Sequence, residues 1–375
     1  MNQLKSLSTI RPEAPSMKTL IWFLGIVCLA ICSLPVRADD SFALIKTSIH
    51  VNMLRGSDYW APKATKSQNA STWIPRVEFE TQGKVPSGAR CFIAFTKPDS
   101  SAWFEFPTTS ETTDEPGITK FETPIAGALD AYQKKYTIGV GVFGFKIRLH
   151  DELAGKDETL FSGKFKVNRI SRYQGTPDTK NDADYSVDHD WTLPIGYIWF
   201  HDKYSNEAAS PPLWISTWFR GRPDMDDVGG YLYYKGKLIS NTKAAGGTVD
   251  HKVEHSTSDN RPTDPRWELW DFGFNLVRRT APDTSSNPAI FALDKNPGDY
   301  EFKVLRKGQL CRDMKFTVGD DGKIVDNGIA AANKMGTDRI IVPMKIIGTL
   351  DGPWRQTAWK TEAFYGNPLT GFTAP

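Results

Sequence analysis

The chain has 375 residues, 24% of them charged and 39% apolar, with a formal net charge of +2. That composition excludes a disordered chain, and the length has room for two or three domains. Charge is close to balanced and no basic run or stripe occurs, so a nucleic-acid surface is not expected.

Residues 1–38 read as a signal peptide. Lys18 leads into an unbroken apolar run, Leu20 to Ser33, and the short side chains of Val36 and Ala38 suit cleavage after Ala38. The run is short for a membrane span. A secreted or periplasmic protein is expected, touching the membrane only through this segment. Cleavage removes Lys5, Arg11, Lys18 and Arg37 against Glu13 and leaves a net charge of −1. Cys28 and Cys32 leave with it. Cys91 and Cys311 stay, either as two buried thiols or as one interdomain disulfide.

Along the rest of the chain, TWIPRVEFETQ from Thr72, followed by Cys91-Phe92-Ile93, reads as part of a repeated unit. A short helix is expected over Ala126–Lys135, and SGKFKVN at 162–168 reads as a strand. Residues 171–187 are polar and turn-rich, hence a linker. The second half then repeats the first. LWISTWFRG from Leu213 aligns without a gap on the Thr72 segment, placing Trp73 on Trp214, Ile74 on Ile215 and Gly88 on Gly229. ALDKNPGDY at 292–300 repeats ALDAYQKKY at 128–136, and DMKFTVG at 313–319 repeats SGKFKVN. Tyr300, Phe302 and Val304 alternate with Glu301, Lys303 and Leu305, the period of a strand with one face in a core. Lys307-Gly308 is a natural hairpin turn into Gln309–Val318. Another short helix is expected over Gly328–Met335. RIIVPMKIIG at 339–348 reads as a strand that Pro343 assigns to a sheet edge. The aromatic tail, with Trp354, Trp359, Phe364, Tyr365 and Phe372, is expected to pack rather than fray.

These segments predict an all-β chain of two tandem sandwich domains from an internal duplication. Domain one covers 39–170, the linker 171–187, domain two 188–328, and a C-terminal strand and tail 329–375. A strand opened by Tyr300, after Leu293 and the turn Pro297-Gly298, resembles the E–F corner and F–G hairpin of immunoglobulin-like and fibronectin-like sandwiches. The resemblance implies an immunoglobulin-like form for each domain.

Chemistry-bearing patterns are few. His251-Lys252-Val253-Glu254-His255 matches the inverted zinc-peptidase string H-x-x-E-H. That motif needs a helix, where residues four apart share a face. Gly246-Gly247 before it and Pro262 and Pro265 after it point to a loop or strand. On a strand the two imidazoles stand about 13 Å apart, too far for one ion. Asp182, Asp184, Asp188 and Asp190 form an acidic run that could supply oxygens to Ca2+, which takes roughly six to eight of them. Asp224-Met225-Asp226-Asp227 is a weaker case of the same kind. No other cofactor is expected. Trp218, Trp267 and Trp270 are the candidate ligand platforms. Trp267 and Trp270 fall on opposite faces of a strand, so one of them is expected to be exposed, able to stack on a sugar or anchor a protein. No nucleophile elbow, phosphate-binding loop or dinucleotide fingerprint occurs. The chain therefore reads as an exported, non-enzymatic binding, adhesion or structural protein. Its expected partner is a protein or polysaccharide of the cell envelope or extracellular space. The rival readings are a carbohydrate-binding protein using exposed tryptophans, and a hydrolase, zinc-dependent through His251 and His255.

Overall fold

Alternation of inward and outward side chains builds the strands. In Gly141–Asp151, Phe143, Phe145, Ile147 and Leu149 are buried, while Gly144, Lys146, Arg148 and His150 face the other way. The computed structural model of the protein describes residues 42–56, 72–113, 117–123, 139–171, 183–201, 211–221, 223–244, 247–253, 267–281, 289–336 and 339–375. The first half contributes β1 (Ala43–Gly56), β2 (Thr72–Gln82), β3 (Ala89–Thr96), β4 (Ala102–Pro107), β5 (Thr109–Thr112), β6 (Ile118–Glu122), β7 (Gly141–Asp151), β8 (Lys156–Ser171) and β9 (Ala183–Val187). The second contributes β10 (Ile195–Phe200), β11 (Pro212–Arg220), β12 (Val228–Tyr234), β13 (Lys237–Asn241), β14 (Gly247–Val253), β15 (Trp267–Arg278), β16 (Phe291–Ala292), β17 (Gly298–Arg306), β18 (Gln309–Val318) and β19 (Ile340–Ile346). Helix among the described residues is confined to single turns, including α1 (Ile329–Ala332), within the expected helix at 328–335, and α2 (Ala363–Gly366). The all-β class holds.

Three sheets result. One runs β1-β2-β6-β5 and another β4-β3-β7-β8-β9. The third runs β13-β12-β17-β18-β19-β10-β11-β15-β14, with β16 beside β15. This large sheet is two smaller ones joined at β19, where Ile340–Pro343 pair with β10 and Met344–Ile346 pair with β18. Divided there, β10-β11-β15-β14 and β13-β12-β17-β18-β19 repeat the strand order of the first half, strand for strand. The repeated sequences occupy matching strands: β2 and β11, then β8 and β18. The copy at 128–136, and the helix expected over 126–135, lie outside the described residues. Lys307 (φ 53°) and Gly308 (φ 73°) form the two-residue left-handed turn between β17 and β18 that the right-handed twist of a hairpin favours. The Tyr300 hydroxyl donates to the Asn296 carbonyl at 2.6 Å.

Some expectations are corrected. β19 is an interior strand. Pro343 lies where it leaves β10 for β18, so the missing N–H costs no ladder bond, and the Met344 N–H reaches the Pro194 carbonyl at 2.8 Å. Residues 183–187, expected in the linker, pair with β8 as β9, while 172–182 lie outside the described residues. Cys91 and Cys311 are the two buried free thiols expected, and the alternative disulfide is absent.

The apolar side chains gather in two main cores. One holds Phe79, Phe95, Phe145 and Phe165 and takes in Phe364, Tyr365 and Phe372 from the tail. The other holds Ile215, Phe219, Trp270, Phe272 and Phe302. No helix among the described residues is long and apolar enough to cross a membrane.

Candidate functional site

Strands β11 and β15 are buried on both faces, and that decides the fate of the tryptophans. Ile215, Phe219, Trp270 and Phe272 point into the second core. Trp214, Ser216, Trp218 and Trp267 alternate with them on the other face. There Trp218 stacks at 5.5 Å on His50 of β1 and at 5.0 Å on His189, and the two imidazoles lie 5.6 Å apart. Trp191 and Tyr365 pack edge-on 5.2 Å from one another beside them. A cavity of about 50 Å³ remains between Thr47, His50, Trp191, Ser216, Trp218 and Tyr365, enough for roughly one to three waters. The Thr47 hydroxyl is buried there without a protein partner among the described residues.

Polar groups in this seam serve the backbone and one another. The free edge of β1 is capped at Val51, whose N–H donates to the Tyr365 hydroxyl at 2.9 Å. Its carbonyl meets His189 Nε2 at 2.9 Å, which makes Nε2 the protonated nitrogen. Burial, and then the neighbouring His50, push the His189 pKa down to about 3, so it is neutral. Ser216 Oγ donates to Asp271 Oδ1 at 2.5 Å and accepts from Trp199 Nε1 at 3.0 Å. A serine on a carboxylate is not the serine–imidazole contact that general-base activation needs.

The candidate ligand-binding tryptophans are therefore corrected. Trp218 (5% exposed), Trp267 (2%) and Trp270 (0%) are all buried. Trp267 and Trp270 do lie on opposite strand faces, but both faces are covered. Trp267 donates to Asp190 at 3.0 Å and Trp270 to Glu268 at 3.2 Å.

Of the acidic run, Asp182 lies outside the described residues and Asp184 stands in β9 opposite Ile170. Asp188 and Asp190 are brought together, around a guanidinium. Arg355 Nη2 donates to Asp188 Oδ2 at 2.8 Å and the Arg355 N–H to Asp190 Oδ2 at 2.8 Å. Burial raises the Asp188 pKa, but the Asp190 N–H and Arg355 outweigh it and the net shift is down. Burial and the Asp188 charge raise that of Asp190. Asp224 accepts from the Asp226 N–H, capping a turn. No group of three His, Cys, Asp or Glu side chains gathers for a metal among the described residues. His251 stands on the strand β14, while Glu254 and His255 lie outside the described residues.

Sequence reasoning missed the outer face of β4-β3-β7-β8. A trough of about 520 Å³ runs over it, floored by Ala94, Gly144 and Gly163 and flanked by Lys146, Arg148 and Lys164. Thr159 and Ser162 also line a second depression of about 330 Å³, beside Lys46. The two meet at a bulge in β8, where Ile147 pairs with Phe161 but Arg148 with Thr159, leaving Leu160 extra. Arg148 is held by Glu105 at 2.8 Å and Asp157 at 2.9 Å. The signal available in the sequence was strand alternation, which sets Lys146 and Lys164 opposite the buried Phe145 and Phe165. That they border one track with Lys46 needed the fold.

Fold and site together define an all-β protein with duplicated strand order, a filled seam and an open trough flanked by lysines. The sequence matches no known protein-family model and no curated protein.

Proposed function

We propose that the protein is an exported, non-enzymatic binding protein built from two duplicated immunoglobulin-like sandwiches, acting through its surface on a component of the cell envelope or extracellular space. Each half places one sheet in the order first-second-sixth-fifth and one in the order fourth-third-seventh-eighth-ninth. That is the arrangement of immunoglobulin-type strands ABED and C′CFG, extended by one strand. The Tyr300–Asn296 hydrogen bond supports the same reading, as a tyrosine corner. The signal-like segment at 1–38 supports export.

One observation carries the binding role: the seam's ionisable groups are engaged with each other, whereas the trough presents its lysines to solvent. Immobilised residues 39–375, exposed to native envelope and culture fluid, should retain a polysaccharide or protein. Retention of nothing would sink the reading. A parallel wash with EDTA reads whether capture depends on a divalent ion, the calcium expected from the acidic run; release by EDTA would support it and retention through the wash would remove it.

A further inference from the structure

We infer that the connected depressions over β7, β8 and the start of the tail bind a carboxylate-bearing polysaccharide, with Lys46, Lys146, Lys164 and Lys334 contacting its charges. This rests on the binding-protein reading and names its ligand class.

The charge pattern points to an anion. Lys146 and Lys164 are exposed diagonal neighbours on adjacent strands, since Lys146 lies opposite Ser162 and Gly144 opposite Lys164. Such like charges repel. Lys46, half-buried in β1, feels Lys334 from beyond α1, and burial together with that charge lowers its pKa. None of the four ammonium groups has an ion pair or hydrogen bond among the described residues. The nearby carboxylates are directed at other cations. Glu105 and Asp157 hold Arg148, Glu362 holds Arg355, and Asp188 holds Arg355 and Lys166. The fold thus pairs Arg148 and Arg355 with carboxylates, lines the two depressions with Lys46, Lys146 and Lys164, and sets Lys334 close to Lys46.

The lining favours a sugar polymer over an acidic protein. Thr96, Thr159 and Ser162 place hydroxyls between the lysines, matching a ligand whose own hydroxyls need partners. Trp103 and Phe104 also line the trough, both buried, and give it an apolar side against which a sugar ring can lie.

The test uses the purified chain from residue 39 on immobilised polygalacturonate, with neutral dextran and poly-L-glutamate as comparisons. Polygalacturonate should retain the protein at low ionic strength and release it at about 0.5 M salt, where the screening length is only a few ångströms. Dextran should not retain it. Replacing all four lysines by glutamine should weaken binding about tenfold or more, as expected of several exposed ion pairs. Each single change, Lys146→Gln or Lys164→Gln, should weaken it about two- to fivefold. Absence of retention overturns the inference, and so does equal binding by the fourfold variant. Poly-L-glutamate bound as tightly as the uronate polymer overturns the sugar assignment. Envelope material captured equally by wild type and fourfold variant would leave the binding-protein reading standing and remove this site. Capture of nothing from the envelope by either would remove the broader reading.

Discussion

Tyr365 shows how much one side chain carries here. It and Phe364 have φ values of 57° and 48°, a left-handed pair that costs about 1–3 kcal/mol per residue. Burial of both rings and the bonds from Tyr365 to Val51 and Ile49 hold that conformation. Tyr365→Phe should therefore cost about 1–3 kcal/mol, because a buried β1 N–H loses its acceptor. Urea unfolding should show a lower midpoint at unchanged slope; an unchanged midpoint would refute the cap. His189 makes stability depend on pH. The folded imidazole titrates at about 3, against 6.5 when unfolded, so between those values the unfolded chain binds the extra proton. Stability is full above pH 6.5 and falls towards pH 3 by up to about 1.4 kcal/mol per unit. His50 and Asp188 face this group, and the depressed Asp188 adds to the loss once the carboxylate range is reached. The raised Asp190 works the other way. His189→Gln keeps a donor towards Val51 and removes the titration. The drop in unfolding midpoint between pH 7.5 and pH 5 should shrink in that variant.

At the scale of elements, β18, β11 and the turn after β19 meet on one buried ion pair. Arg312 (0% exposed) donates to both oxygens of Asp351, at 2.7 and 2.8 Å, and to the Trp218 carbonyl at 2.8 Å. Its guanidinium also lies 4.4 Å over the Phe219 ring. Asp351→Ala leaves a buried guanidinium without its counter-charge and should cost about 3–5 kcal/mol. Replacing both partners, Arg312→Met with Asp351→Leu, should cost much less than the single change. A double-mutant cycle read by urea unfolding checks this, and equal losses would mean that packing rather than charge dominates. Close packing sets a second limit. A Cβ at Gly273 would stand 2.6 Å from the Trp214 ring, so Gly273→Ala should destabilise β15 against β11 by about 1–3 kcal/mol, read as a lower melting temperature.

Across the whole molecule, the tail is a structural strap. From Asp351 onward it holds Arg312, binds Asp188 and Asp190 through Arg355, caps β1 through Tyr365 and reaches the Ser162 carbonyl through Asn367. Since it engages the first core and the second sheet pair together, residues 39–375 should unfold in one cooperative step. Tryptophan fluorescence and far-ultraviolet circular dichroism should trace coincident transitions. Ending the chain at residue 348 removes every one of these contacts and should lower the midpoint and separate the two probes. A truncated chain with the same single transition would show that the strap adds nothing.

Local period, turn chemistry and repetition by themselves determined the strands at 72–82, 162–168, 213–220, 300–318 and 340–346, the Lys307-Gly308 hairpin, the all-β class and the packed tail. Each depends on neighbours along the chain, and so each is legible in one dimension. Tertiary structure alone decided which faces are covered. Trp267 and Trp270 alternate as their spacing requires, yet neither reaches solvent, because β1 and the tail cover the face that a lone sandwich would expose. Pro343 belongs to an interior strand because β19 changes partners at that residue, an event no local signal marks. Asp188 and Asp190 look like metal ligands until Arg355, 165 residues beyond Asp190, arrives between them. Burial and charge pairing are sums over contacts between distant segments, so they follow from the fold and cannot be read from spacing.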